Sequence, residues 1–493
     1  MKLISLTLLF AVFMSRLSVF GANSSSVAPG PAVLDSTTVA RSDQPAVPFP
    51  AALDAAAISV DRLDSILEHG LLLGNGDLNT LVSTEGGQLV FMLTKNDVWD
   101  ARLDSKLDPP LPTLALIKKL AVLSAPQGDP QILADGWGKR GADSYHAHPY
   151  PCPRPCARLI LGDRPERPVW RQIRAEGSQN TVTEDGRQAE NRFAEVVLEG
   201  PRGKRPLELR DLAAPSSPAQ LDLFRAWART SGAPEGVPPA EVRVLADRNV
   251  LLIKSNGLAR LAPISSPDTP LATSGEDNGT LWLAQQIPGD EDWPGMSFAV
   301  AVASRGQCRA VAIVTSREAK DPRVAAVGLA RAAAAADTAE LVRRHEADWA
   351  RFWSASGIKL DDPVLEAMWY RNLYFLRCVS KPGAIAPGLY ASLIGVNPAW
   401  HGDYHTNYNI QQTFWGAYAA NHCELAEPYD RLIREYLPRA QWLCRQVFSL
   451  PGAYYPHVLF AYEPPDPAAC RSPLGRQYIH HVWGFTLGHD GGQ

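Results

Sequence analysis

The feature that most constrains this 493-residue chain is a change of residue pattern near position 320. Before it, short apolar runs alternate with clusters of turn-forming residues. Val242–Val244 and Val250–Ile253 flank a turn at Asp247–Asn249, and Ser297–Ala303 and Cys308–Thr315 flank a second turn. Each pair predicts a β-hairpin. Many short strands joined by long Pro- and Gly-containing loops predict a large antiparallel sandwich.

After position 320 the pattern becomes helical. Val324–Trp353 is rich in alanine and has no Gly or Pro after Gly328, which predicts one long helix. Apolar residues then recur at helical spacing in Pro363–Val379, Thr413–Glu424 and Tyr429–Phe448. We therefore expect a multidomain β + α fold, with a β domain at 55–318, a helical linker at 319–358 and a helical domain at 359–493.

Composition and charge limit the function classes. With 45% hydrophobic and 20% charged residues, the chain is a globular protein rather than a disordered one. A net charge of −4 excludes a dominant basic surface, so we expect no nucleic-acid partner. From Glu340 onward lie 12 of the 14 Tyr and 7 of the 13 Trp, which predicts that binding or catalysis belongs to the helical part.

The first residues have the pattern of a secretion signal. Lys2 precedes the apolar run Leu3–Met14, and small residues follow near a cleavage point after Gly21 or Ala22. The run is shorter than the ~20 residues that span a bilayer, and no later stretch is long and apolar enough to do so. We expect a signal peptide at 1–21, a flexible leader at 22–54, and a secreted or periplasmic protein without a membrane span.

Cysteine and histidine spacing gives no recognised metal site. Cys152 and Cys156 form a loop pair for which a local disulfide and two free thiols are equal alternatives, with a metal site beside His146 and His148 less favoured. The histidines between 401 and 489 match no ligand motif. Residues 74–76, Gly-Asn-Gly, lack the Lys and helix of a phosphate loop and are better explained as a turn between strands. We expect no metal and no cofactor.

The most informative stretch is Trp400–Trp415. Eleven of its sixteen side chains carry an amide, carboxylate, hydroxyl or imidazole group. Asn407 and Asn409 are two residues apart, so in an extended segment both amides point to one side and could hold a water molecule or a sugar hydroxyl. Aromatic side chains supply flat faces for sugar rings. A loop that ties helices together through buried hydrogen bonds is the alternative.

Three motifs, in order along the chain, resemble glycoside hydrolase family 95. Residues Asp403–Trp415 look like its Asp-Tyr-His-x-Asn-x-Asn-x-Gln-x-x-x-Trp segment. Leu72–Leu78 and Lys95–Trp99 resemble its N-terminal Gly-Asn-Gly and Asn-x-x-x-Trp motifs. The spacing His345-x-x-x-Trp349, together with residues 369–374, resembles the linker helix and first barrel helix of its wider clan. Residues 412–414, Gln-Thr-Phe, depart from the Met-Asn-Tyr that the family often has there.

The resemblance implies an N-terminal β-super-sandwich, a helical linker and an (α/α)6 toroid. Family members include inverting α-L-fucosidases, in which paired Asn side chains position the attacking water, and this role would fall on Asn407 and Asn409. A Glu acts there as general acid. Glu463, in a loop after a helix, is the candidate here, with a solvated loop carboxylate as the alternative. The other predicted sugar contacts are Trp400, Asp403, Tyr404, His405, Tyr408, Gln411 and Trp415.

The sequence therefore predicts an exported glycoside hydrolase that removes a terminal α-L-fucose or α-galactose from an oligosaccharide or polysaccharide by inversion. A carbohydrate-binding protein without catalysis and a disaccharide phosphorylase of the same clan are the alternatives. A complete toroid needs on the order of 300 residues, and only 154 remain from Glu340 onward, counting Glu340 itself. We therefore expect residues 359–493 to be the N-terminal part of that domain in a truncated chain, with loss of activity as the alternative.

Overall fold

The computed structural model describes two regions with different secondary structure. It covers residues 46–66, 68–85, 87–103, 113–115, 151–162, 218–231, 237–264, 266, 269–391, 402–406, 408–456, 458–464 and 466–471, and the backbone of 171–182, 188–200 and 203–206. Strands dominate up to Thr315, and helices follow from Pro322. The expected combination of a β-rich region and a helical region is confirmed. We call them the β region and the helical region.

A nine-stranded antiparallel sheet is the largest element of the β region. Its order is β1-β11-β12-β13-β14-β19-β18-β17-β16. Both predicted hairpins lie in it, because β13 pairs with β14 and β18 with β19. The strands are β1 (Ile58–Val60), β11 (Ala219–Asp222), β12 (Trp227–Thr230), β13 (Ala240–Val244), β14 (Val250–Ser255), β16 (Thr273–Asp277), β17 (Thr280–Ile287), β18 (Met296–Arg305) and β19 (Cys308–Thr315).

A five-stranded sheet shares its apolar core with the nine-stranded sheet. Its order is β15-β7-β4-β3-β2, and side chains such as Phe91 and Val82 lie in one buried cluster with Val242 and Val300 of the larger sheet. Burying apolar surface between two layers is the main source of stability for such a region. The strands are β2 (Leu71–Gly74), β3 (Leu78–Glu85), β4 (Gln88–Lys95), β7 (Ala157–Leu161) and β15 (Ala259–Ala262).

Three small sheets account for the other strands of the described residues. The backbone of β8, β9 and β10 forms one of them, and β5 pairs with β6, and β20 with β21. The last two are ribbons of two residues per strand that lie near the candidate site. The strands are β5 (Trp99–Asp100), β6 (Cys152–Pro153), β8 (Arg171–Val182), β9 (Gln188–Gly200), β10 (Gly203–Pro206), β20 (Tyr404–His405) and β21 (Val458–Leu459).

The linker region consists of two helices, and the prediction of one long helix over 324–353 is wrong. Helix α2 (Pro322–Ala335) ends at Ala336, whose backbone is extended, and α3 (Thr338–Ser354) begins after Asp337. The Asp337 side chain accepts a hydrogen bond from the Ala339 amide and caps the new helix. Alanine propensity is a weak preference that one capping residue overrides.

The two linker helices, α2 and α3, pack against different parts of the protein. Alanines of α2, among them Ala326 and Ala330, pack against alanines of β18 and β19 on the second face of the nine-stranded sheet. Helix α3 instead buries Trp349 and Trp353 in the main core. A short helix α1 (Pro50–Ala55), in a range expected to be leader, buries Leu53 in the same core. The predicted signal at 1–21 lies outside the described residues.

The helical region proper contains three α-helices in the part of the chain described. They are α4 (Pro363–Val379), α5 (Tyr408–Ala419) and α6 (Glu427–Phe448), with 3-10 turns at Cys423–Ala426 and Pro467–Ala469. Helix α4 has the bounds that its apolar spacing predicts, and α5 begins five residues earlier than expected. Among the described helices, none is both long and apolar enough to cross a bilayer.

The two regions are joined where α4 ends against the turn between β2 and β3. The Asn96 side chain donates to the carbonyls of Val379 at 2.7 Å and Ile385 at 3.1 Å. Gly76 has a φ of +90°, and a Cβ there would lie 2.7 Å from the backbone of Ser380. Only glycine meets both conditions without strain. The Gly-Asn-Gly turn and the segment Lys95–Trp99 therefore join the β region to the helical region.

Candidate active site

The segment predicted to carry the chemistry turns from a short strand into a helix. Tyr404 and His405 form β20, and α5 begins at Tyr408. Asn409 therefore lies in the first turn of a helix, and the expectation of an extended segment through that residue is wrong. Trp400 and Asn407 lie outside the described residues. The Gln411 side chain donates to the Thr406 carbonyl at 3.1 Å and so closes this first turn.

Asp403 and His405 form a buried pair. The Asp403 carboxylate is fully buried, and its Oδ1 lies 2.5 Å from Nδ1 of His405. Alternate residues of an extended strand point to the same side, which brings the two side chains together. A carboxylate bound to one ring nitrogen fixes the orientation of the imidazole and leaves its other nitrogen directed elsewhere. Such a pair can orient a proton-transferring group or a sugar hydroxyl.

Tyr404 points the other way, into the core. It is 1% exposed, its hydroxyl donates to the Ala386 carbonyl at 2.8 Å, and its ring centroid lies 5.0 Å from that of Trp99 in the β region. In this structure Tyr404 supports the segment from beneath and has no ring face open to solvent.

A cavity of about 520 Å³ opens beside this segment, between the β region and helices α4 and α5. Asp403, Asn409, Gln412 and Thr413 line one side of it. The rest of the wall is largely apolar and includes Leu71, Leu72, Leu221, Leu373, Phe375, Leu376 and Ile410. A volume of this size, with a few convergent polar groups in an apolar wall, is typical of a small-ligand site.

Two predicted sugar contacts form an exposed aromatic pair on α5. Tyr408 is 38% exposed and Trp415 is 52% exposed. Their ring centroids are 5.5 Å apart with the planes at 83°. Exposed large aromatics held in fixed geometry are suited to bind flat apolar faces. The structure thus places Tyr408 and Trp415 on the surface, while Asp403 and Asn409 line the cavity.

Glu463 lies in the loop after β21 and pairs with a buried arginine. Its Oε2 is 3.4 Å from Nε of Arg439, and the two side chains are 9% and 1% exposed. An ion pair uses the ionised carboxylate, whereas a general acid must carry its proton before it acts. This loop carboxylate is therefore held in the protein rather than solvated. Arg439 was not singled out by the sequence, since it sits mid-helix in α6 with no motif around it.

The N-terminal motifs build a polar cluster that sequence reasoning did not find. Nζ of Lys95 lies 2.8 Å from Asp97, 3.1 Å from Asp77 and 3.2 Å from Glu318. Burial disfavours the ammonium, but these three carboxylates raise the pKa of Lys95 above its ordinary value. Burial raises the pKa of the Asp97 carboxyl, and the Lys95 charge opposes that effect. The only sequence signal for this cluster is a Lys in an apolar strand with Asp two residues after it.

The cysteines form no disulfide among the described residues, and the described His and Cys side chains build no metal site. All seven cysteines lie in the described part of the chain, and each has a free thiol. Burial raises the pKa of Cys152 to about 12 and raises that of Cys156 as well. Within the described ranges no three His, Cys, Asp or Glu side chains are grouped as a metal site would require. His146 and His148, which belong to the metal alternative for this loop, lie outside those ranges.

Comparison with known proteins relates this region to glycoside hydrolases. Residues 327–484 match the family described as "Glycosyl hydrolase family 95 catalytic domain". The chain is also 27% identical over 99 residues to a protein of Aspergillus niger named "Probable alpha-fucosidase A". That alignment covers 20% of this chain and 12% of the length of the relative. The matched family segment contains α3 to α6, the Asp403–Trp415 segment and Glu463.

Proposed function

Since the segment 327–484 belongs to glycoside hydrolase family 95, we propose that the protein is an exported hydrolase that releases a terminal sugar from an oligosaccharide or polysaccharide. The observation that carries this proposal is the cavity beside Asp403 and Asn409, inside the segment that matches the catalytic domain. The family match supports hydrolysis, and the cavity supports a small terminal unit as the part that binds.

The reaction proposed is hydrolysis with inversion. A water molecule attacks the anomeric carbon from one face and gives up a proton to a general base, while the bond from that carbon to the leaving oxygen breaks and the leaving oxygen takes a proton from an acid. Asn407 and Asn409 position the water through their amide groups. Asn409 is among the residues that line the cavity, which supports this role. Holding the water in line is worth a large rate factor, because it removes the entropy cost of bringing the reactants together.

Glu463 is the proposed proton donor. Its position in the loop that follows the β20–β21 ribbon supports the role. The pair with Arg439 sets a condition on it: the Arg439 contact must loosen when substrate binds, so that the carboxyl can carry a proton.

The sugar proposed is α-L-fucose in preference to α-galactose. Fucose has a methyl group where galactose has a hydroxymethyl group, and most of the cavity wall is apolar. An apolar wall favours the methyl and penalises an unpaired hydroxyl. The name of the Aspergillus relative points the same way. Tyr408 and Trp415 on the outside of α5, with Trp400, would contact the rest of the glycan.

Further parts of the proposal concern architecture and location. The shared core of the two large sheets supports a β-super-sandwich, and α4 to α6 supply helices for an (α/α)6 toroid. The signal pattern at residues 1–21 supports secretion or delivery to a periplasm. Both remain proposals about the whole protein.

The test uses the 493-residue chain with aryl α-L-fucoside, aryl α-galactoside and plant-type oligosaccharides. We expect sugar release, fastest from the fucoside, with the product first formed in the inverted anomeric configuration as followed by NMR. Asn409→Ala should abolish most of the release, whereas Gln307→Ala, in the exposed β18–β19 turn, should not change it. Calorimetric binding without any release would instead support a sugar-binding protein, and release only with phosphate would support a phosphorylase.

A further inference from the structure

The β20–β21 ribbon, which carries part of the candidate site, is too short to hold its own shape. Only two residue pairs join the strands, Tyr404 with Leu459 and His405 with Val458. A two-stranded ribbon is at best marginally stable alone, even when it is longer than this one. The Asp403–His405 pair must therefore owe its geometry to whatever packs beneath the ribbon.

A residue of the β region packs there. Trp99 is fully buried, and its ring centroid lies 5.0 Å from that of Tyr404. Its indole Nε1 donates to the Asn96 carbonyl at 3.0 Å, which fixes the ring against its own loop. Because side chains alternate along a strand, a support under Tyr404 sets the height of Asp403 and His405 on the other face.

The loop Asn96–Asp100 also contacts the segment that follows β21. The hydroxyl of Tyr462 donates to the Asp97 carbonyl, its ring stacks on Trp293 at 6.5 Å, and the Arg317 guanidinium lies 4.3 Å from the ring centroid. All three partners belong to the β region or to the turn that ends it. Tyr462 has a φ of +66°, which is costly for a bulky residue and persists only where its surroundings impose it. The next residue is Glu463.

The loop is itself anchored at its base. Lys95 is held by three carboxylates, and the Asn96 side chain donates to the carbonyl at the end of α4. Because the loop is fixed at its base, it can hold the residues that it contacts, Tyr404 and Tyr462, in a defined position. Trp99, being fully buried, acts on the site only through Tyr404.

We propose that the loop Asn96–Asp100 of the β region positions the active site, with Trp99 as the residue that holds the Asp403–His405 pair in register. The proposal rests on the proposed function only in taking Asp403–Trp415 as the active site. It makes the β region a working part of the catalytic unit and gives Trp99 a role in the rate of the reaction without contact to the sugar.

The first experiment reads the Asp403–His405 hydrogen bond by proton NMR on the full chain. The shared proton gives a downfield resonance, assigned by its loss in His405→Gln. We expect Trp99→Leu to abolish this resonance and to lower kcat at least tenfold while KM changes less than twofold. Trp99→Phe, which keeps a ring against Tyr404, should restore both. Trp227→Leu, at another buried tryptophan of the β region, should leave both unchanged.

Persistence of the resonance in folded Trp99→Leu overturns the proposal, whatever the activity. If wild-type protein releases no sugar, the proposed function fails, and the resonance still decides this inference. If Trp99→Leu does not fold, Tyr462→Phe takes its place, because it removes only the hydroxyl bound to Asp97. We then expect a roughly fivefold lower kcat. An effect no larger than that of Tyr455→Phe, which loses a similar bond to the Ile433 carbonyl, overturns the proposal.

Discussion

Replacing Lys95 by methionine tests whether the polar cluster of Lys95, Asp77, Asp97 and Glu318, at the base of the loop Asn96–Asp100, stabilises the β region. Lys95 is 2% exposed, and its ammonium neutralises Asp77, Asp97 and Glu318. Methionine fills a similar volume and removes the charge. Two of the carboxylates, at 11% and 9% exposure, would then lack their cation in a poorly solvated site. Glu318, at 37% exposure, is screened by water and adds little.

Breaking a buried pair by removing one partner costs about 3 to 5 kcal/mol. We expect Lys95→Met to lower the free energy of unfolding at pH 7 by about 3 kcal/mol, measured by guanidinium unfolding followed by tryptophan fluorescence. Lys254→Met, at an exposed lysine on β14, should change it by less than about 0.5 kcal/mol. A double-mutant cycle with Asp97→Asn should show that the two losses are not additive, since the residues share one interaction.

The loss should also depend on pH, with a sign set by Asp97. Burial raises the pKa of Asp97 in the folded protein, and removing the Lys95 charge raises it further. A folded state that binds more protons than the unfolded chain becomes less stable as pH rises. The cost of Lys95→Met should therefore be larger at pH 8 than at pH 5. A loss below about 1 kcal/mol that is equal at both pH values would refute the assigned role of the cluster.

Three further predictions concern the site and its surroundings. Asn409→Ala should lower kcat about 100-fold with little change in KM, because a misplaced water reacts slowly but the sugar still binds. Glu463→Gln should lower kcat at least 100-fold, while Arg439→Met lowers the thermal midpoint; equal kcat in wild type and Glu463→Gln would remove Glu463 from the mechanism. Burial lowers the pKa of His345 to about 4, whereas a histidine of the unfolded chain takes up its proton near pH 6.5. As the pH falls from 6.5 to 4, protonation therefore favours the unfolded chain and lowers the free energy of unfolding by roughly 3 kcal/mol. In urea titrations His345→Phe should lose less stability over this range than wild type does.

Local pattern accounts for much of the fold. The two hairpins and helix α4 follow from turn residues and apolar spacing, which act within a few residues. The break between α2 and α3 was missed although its signal was present. Asp337 followed three residues later by Glu340 is a helix-start pattern. The alanine run alone predicts a continuous helix, whereas the Asp337 cap predicts a new helix start.

The candidate site was found by motif but its geometry was not. The cavity, the turn from strand to helix before Asn409 and the ion pair of Glu463 all depend on packing between distant segments. Trp99 and Tyr404 are 305 residues apart in the sequence and touch only because α4 is joined to β2 and β3. Periodicity and propensity carry no information about such a contact. A single sequence therefore suggests candidate residues for the site but does not show which distant segments hold them.

The most direct test of the central claim is the rate of sugar release from aryl α-L-fucoside by the 493-residue wild-type chain and by Asn407→Ala. We predict measurable release with inversion by the wild type, and a loss of at least 100-fold in kcat, with binding of fucose retained, in the variant. Equal release by the two proteins would contradict the site assignment. No release from any fucoside, galactoside or oligosaccharide, beside an active member of the family as control, would contradict the assignment of this chain as a glycoside hydrolase.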